Sequence, residues 1–155
     1  MRRLRRAAIV VVPGVLVAVL VLSGLAAGGG KGKGGKRIVL VGGPPTQEEI
    51  DVGEAGPSAG DMLVGRADML NRKGKKVGFV RFTCVFNVGT GAMCTNHLRL
   101  AGRGQIVSQR SANLAGGPVV VEAITGGTGE FRNARGQVRV DFSQGPPTIT
   151  IRLLG

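Results

Sequence analysis

The segment that most restricts the fold is Gly126-Gly127-Thr128-Gly129-Glu130-Phe131-Arg132-Asn133-Ala134-Arg135-Gly136, which follows the apolar, β-branched run Val119 to Thr125. Two incompatible structures begin this way. In one, a strand enters a glycine-rich turn that cradles a phosphate. In the other, the glycines bend the chain between two strands of an all-β domain. A phosphate loop requires a helix directly after the glycines, because the helix N-terminus supplies the free N–H groups and partial positive charge. Instead, residues 137–142 alternate polar and apolar with the period of a half-buried strand. Fewer than thirty residues remain after Gly129, too few for a further strand, its crossover helix and an acidic residue about 20 positions on to meet a ribose. A second glycine pair, Gly42-Gly43, fails the same test, because Pro44 and Pro45 follow at once. The nucleotide-binding reading is set aside.

The rest of the chain fits the β reading. Short apolar or alternating runs occupy 38–41, 47–52, 62–69, 77–86, 93–100, 105–109, 119–125, 137–142 and 148–153, a spacing of an all-β sandwich or barrel. Pro44-Pro45, Gly56-Pro57, Gly116-Gly117-Pro118 and Gly145-Pro146-Pro147 punctuate them, since proline removes a ladder donor and glycine admits positive φ. Residues 38–155 can bury one core but not two. Alternation does not say which face is interior: Arg81 and Thr83 oppose Val80 and Phe82, and Arg139 and Asp141 oppose Val138 and Val140. Facing inward, the polar set would equip a lumen; facing outward, it is ordinary surface.

The glycine-rich segment resembles the signature of the dirigent and allene oxide cyclase barrels, Gly-Gly-Thr-Gly-x-Phe/Tyr-x-x-Ala-Arg-Gly, through Gly126, Gly127, Thr128, Gly129, Phe131, Ala134, Arg135 and Gly136. Weaker echoes precede it in order: Gly60-Asp61, Asp68-x-Leu70, Gly74 to Gly78, and Leu100 to Ile106. The resemblance spans residues 38–155 and implies a single antiparallel eight-stranded β-barrel. Such a barrel either fills its interior or holds one small ligand. The family's activities, stereoselective coupling or cyclisation of phenolic intermediates and closure of an unstable epoxide to a cyclopentenone, rest mainly on holding a reactant in one geometry. The resemblance therefore implies a small apolar or phenolic ligand, no cofactor, and a homo-oligomer, in this family a trimer. It also points to Asp68 and Arg135 as the carboxylate and arginine of a catalytic cavity, with Glu130 where some relatives carry an acid. Each has a plainer reading: Asp68 pairing with Lys75 or Lys76, Arg135 tying the bend to a carbonyl, and Glu130 exposed at the bend. The chain has no Tyr or Trp and five Phe, so few groups could stack on a phenol. A barrel packed solid, serving as a non-enzymatic cell-envelope protein, is the alternative.

The N-terminus reads as an export signal. Arg2, Arg3, Arg5 and Arg6 precede an uncharged apolar run from Ala7 to Ala27, with small residues Gly24 and Ala26 where a peptidase would cut. Left uncut, residues 7–27 are long enough to anchor the chain in a membrane. Residues 28–37 form a Gly/Lys-rich tether. The net charge of +12 suggests nucleic acid until it is divided: from Ile38 onward 13 Lys and Arg stand against 9 Asp and Glu, leaving +4. Diffuse charge without stacking aromatics is poor equipment for nucleic acid, so membrane contact is expected only through the N-terminal segment. Both cysteines, Cys84 and Cys94, fall in the exported part and lie equidistant from Gly89 in the turn 87–91. On an antiparallel pair they face each other at a spacing a disulfide can bridge. A metal centre is not expected, because His97 is the single histidine and structural zinc wants four ligands.

Overall fold

A computed structural model describes residues 35–155 apart from 54, 88, 90, 114 and 115. The signal or anchor segment and most of the tether lie outside the described residues, among which no helix is long and apolar enough to cross a membrane.

Among the described residues nine strands form: β1 Arg37–Gly42, β2 Thr46–Ile50, β3 Met62–Leu70, β4 Lys76–Phe86, β5 Gly91–Leu100, β6 Gly104–Asn113, β7 Val119–Gly127, β8 Gly136–Asp141 and β9 Thr148–Leu153. Each falls on one of the nine runs expected from the sequence. All neighbours are antiparallel, in the order β1-β9-β8-β7-β6-β5-β4-β3-β2. Pairing of Val41 with Leu70 and Gly42 with Met69 joins β1 to β3 and closes the sheet. Because β1 and β2 lie on the same strand, they are the two halves of one strand bent at Gly43-Pro44-Pro45. The closed sheet is therefore an eight-stranded barrel. β6 runs past the expected end at residue 109 to Asn113, carried by a β5–β6 ladder that continues to Gly91 opposite Asn113. Ser111, Ala112 and Asn113 are weak strand formers, so neighbouring backbone, not propensity, extends this element.

The barrel resolves the alternation: Val80, Phe82, Val138 and Val140 face the interior, whereas Arg81, Thr83 and Arg139 are exposed. Two apolar plugs then bound the interior. At one end Met69, Leu100, Ile106, Phe131 and Ile151 form a fully buried cluster. Phe131 is delivered by the glycine-rich segment, which folds into a single 3-10 turn, Gly129–Phe131. A Cβ on Gly127 would lie 2.4 Å from the Phe131 carbonyl oxygen, and Gly129 has φ 61°. These glycines are thus required for the turn to fold back under the barrel. At the other end Cys84, Ala92, Cys94 and Ala112 pack together. Cys84 stands opposite Cys94 in the ladder, and a disulfide joins them.

Candidate functional site

Between the two plugs the interior is open. A cavity of about 230 Å³ lies in the barrel, its wall built mainly from Val80, Phe82, Leu98, Val138, Val140 and Ile149. Four polar side chains interrupt or back this apolar surface. On β7, Val120, Glu122 and Ile124 face inward while Val121 is left outside. Glu122 therefore enters the barrel by strand periodicity alone, and it is only 6% exposed.

Its partners come from the two preceding strands. Ser108 Oγ, itself fully buried, donates to Glu122 Oε2 at 2.6 Å, and Asn96 Nδ2 donates to Oε1 at 3.0 Å. Arg110 Nε stands 3.5 Å from Oε1, an electrostatic contact without hydrogen-bond geometry, and this buried Nε has no hydrogen-bond partner. Burial pushes the Glu122 carboxyl above its ordinary range, with the Ser108 hydrogen bond and the Arg110 charge pulling the other way. A carboxyl so placed can donate a hydrogen bond when protonated or accept a proton when ionised, at the edge of an apolar cavity.

The three residues singled out from the sequence are placed elsewhere. Asp68 is on the outer face of β3, 2.7 Å from Lys76 Nζ and 3.5 Å from Arg66 Nη2. Glu130 sits outside the Phe131 plug, hydrogen-bonded by Arg103 Nε at 2.6 Å and by Lys36. The Arg103 hydrogen bond, then that of Lys36, holds its carboxyl down to about 2. Arg135 is exposed and donates to the carbonyls of Thr125 and Ala134. The fold does not bring these three together, and none of them lines the cavity. Among the described residues there is no cluster of His, Cys, Asp and Glu able to hold a metal. The sequence signal for Glu122 was its position: a lone acid inside an apolar run, two residues before Ile124.

No protein-family model matches the chain, and no curated protein matches it. Solved structures do. A pyocyanin demethylase is 24% identical and superposes with a TM-score of 0.66 over 76% of this chain and 99% of its own. An exo-specific intermolecular Diels-Alderase is 16% identical, with a TM-score of 0.62 over 77% of this chain and 98% of its own. A pterocarpan synthase dirigent protein is 18% identical, with a TM-score of 0.57 over 76% of this chain and 84% of its own. The fold is the dirigent-type barrel. In this dirigent-type barrel the glycine-rich signature builds the floor under the cavity, and the wall above it carries Glu122.

Proposed function

We propose that the barrel binds a small, largely apolar or phenolic molecule in its lumen and guides its cyclisation or coupling, with Glu122 as the acid–base group. The observation that carries this reading is a buried, hydrogen-bonded carboxyl on the wall of an otherwise apolar cavity. A barrel of this size can hold one small ligand, and dirigent and Diels-Alderase barrels share the fold. Protonated Glu122 would donate to a carbonyl or ether oxygen of the reactant and make the adjacent carbon more electrophilic. Ionised, it would remove a proton from a phenol or an acidic C–H. Selection among products would come from the shape of Phe82, Leu98 and Val140 around the reactant, since holding one geometry accounts for most of such a rate. In this reading Asp68, Glu130 and Arg135 support the wall and floor from outside. The disulfide fits an oxidising, extracytoplasmic compartment, which agrees with export by the N-terminal segment.

The test is native mass spectrometry of the oxidised protein against a panel of polyenes, enones and phenols, followed by product analysis for any compound bound. A one-to-one adduct is expected, absent from an Ala67→Trp variant in which the indole fills the lumen. Glu122→Gln should keep the adduct and lose the product. A protein that ignores the whole panel would overturn this reading.

A further inference from the structure

The β6–β7 seam of the barrel wall is laddered over only part of the length of its two strands. Its pairs run from Ile106 opposite Gly127 to Gln109 opposite Ala123 and stop there. Beyond that point β6 continues to Asn113 in its ladder with β5, and β7 continues back to Val119 in its ladder with β8. Arg110, Ser111 and Ala112 on β6 and Val120, Val121 and Glu122 on β7 thus carry no ladder pairs across the seam. A cleft of about 430 Å³ occupies this split, with Ser111, Ala112, Val119 and Val121 among its walls. Cys84, Arg110, Val120 and Phe142 line both this cleft and the lumen, so the two cavities meet at these side chains. Two large apolar side chains, Val121 at 49% and Phe142 at 54% exposure, stand at the outer lip.

Arg110 and Glu122 are the first pair past the end of the ladder. A continued register would place them opposite each other, and their 3.5 Å contact is what spans the split there. Arg110 lines both cavities, and its buried Nε–H makes no hydrogen bond. A buried donor without a partner costs free energy of folding, and a ligand oxygen would relieve it.

From this we infer that the unladdered β6–β7 seam is a side portal to the lumen, and that Arg110 binds an anionic oxygen of the entering molecule. The ligand class is accordingly an apolar body bearing a carboxylate, sulfonate or phenolate. The inference rests on the lumen being a binding site, as proposed above. Entry through the seam needs no ladder to break, and the apolar lip offers the first contact.

The test closes the portal from outside. Continuing the register places Ser111 opposite Val121, both exposed, so Ser111→Cys with Val121→Cys should staple the seam without entering the lumen. The comparison is the same double variant alkylated before it can oxidise, with the native disulfide verified in both by peptide mapping. The probes are anilinonaphthalene sulfonate and uncharged phenylnaphthylamine, followed by stopped-flow fluorescence. Stapling is expected to slow association of both probes at least about tenfold. Arg110→Gln is expected to weaken the sulfonate about tenfold and leave the uncharged probe unchanged. Equal association rates in stapled and alkylated protein would overturn the portal while leaving the lumen site standing. Binding of neither probe, or equal binding by Ala67→Trp, would overturn the lumen reading and the portal with it. Should the staple fail to form, amide hydrogen exchange of the wild-type protein decides. Residues 110–113 and 119–122 must include amides exchanging far faster than those of the fully laddered β4–β5 seam, and protection as complete as that seam's overturns the proposal.

Discussion

Ser108 and Glu122 meet inside the barrel wall, on adjacent strands, through a 2.6 Å hydrogen bond between two groups that solvent scarcely reaches. The hydroxyl holds the carboxyl in one orientation and, with Asn96, satisfies both of its oxygens. What remains is a carboxyl whose proton is held by desolvation more tightly than it would be in the unfolded chain.

That difference fixes the sign of a pH dependence. Glu122 has a folded-state pKa above its unfolded value, so the folded protein binds the extra proton. Its contribution to stability is fully present below the ordinary glutamate range and is lost as pH rises through the raised folded value. Thermal midpoints of wild type between pH 4.5 and 8 should therefore carry a falling component that is missing in Glu122→Gln. Identical pH profiles for the two proteins would contradict the burial argument.

Removing the Ser108 hydroxyl tests the same arrangement from the other partner. Ser108→Ala deletes a hydrogen bond that lowers the Glu122 pKa, so the carboxyl should titrate at higher pH than in wild type when followed by NMR. A buried charged acceptor that loses one donor costs roughly 1–3 kcal/mol, read as a drop in denaturant midpoint at pH 7.

The strands were legible in the sequence because alternation spells them out and glycine and proline mark their corners, whereas their closure into a barrel was implied only by the resemblance carried by residues 126–136. The disulfide was legible too, since the symmetric placement of Cys84 and Cys94 about Gly89 is a matter of register. The cavity residues were not. Whether Val120 and Glu122 or Val119 and Val121 face inward depends on which face the closed sheet turns to its axis, and Val121 imitates a core residue while standing 49% exposed. Asp68 was singled out by the Asp-x-Leu echo, which lies on β3, and Glu130 and Arg135 by the glycine-rich segment, which folds into the turn that carries Phe131. Glycines that let Phe131 close one end of the barrel leave the same sequence trace as glycines that frame a site.

Phe131 should accordingly be among the most sensitive positions for stability. It is 1% exposed, and Arg103 covers its ring at 5.1 Å. Phe131→Ala opens a cavity in a cluster that cannot collapse around it and should cost about 3–5 kcal/mol. The adjacent Arg132, exposed and outside the floor, should tolerate alanine within about 0.5 kcal/mol. Urea unfolding of the two variants makes the comparison.

Glu130 predicts the opposite pH behaviour from Glu122. Arg103 first and Lys36 second hold its pKa down to about 2, so the folded state releases this proton more readily than the unfolded chain. The stabilisation is present above the ordinary glutamate range and is lost as pH falls from there toward about 2. Acid unfolding of Glu130→Gln should therefore show a shallower loss than wild type over that window. Ligand binding in the lumen should be unaffected, because Glu130 lies outside the Phe131 floor. A Glu130→Gln protein that folds but no longer binds would place the acid–base role back on the glycine-rich segment.

The disulfide should matter for stability more than for the shape of the lumen. Cys84 and Cys94 are ten residues apart and already paired in register by the β4–β5 ladder, so the bond constrains mainly the unfolded chain. Replacing both by alanine should lower stability by about 2–3 kcal/mol by loop-closure entropy. The Cys84 side chain also lines the lumen and the side cleft, and losing its sulfur enlarges both slightly. The double-alanine variant is thus expected to bind the uncharged probe with an affinity within about threefold of wild type while unfolding at lower denaturant. A loss of binding at a temperature where the variant remains folded would instead make the disulfide part of the site's geometry.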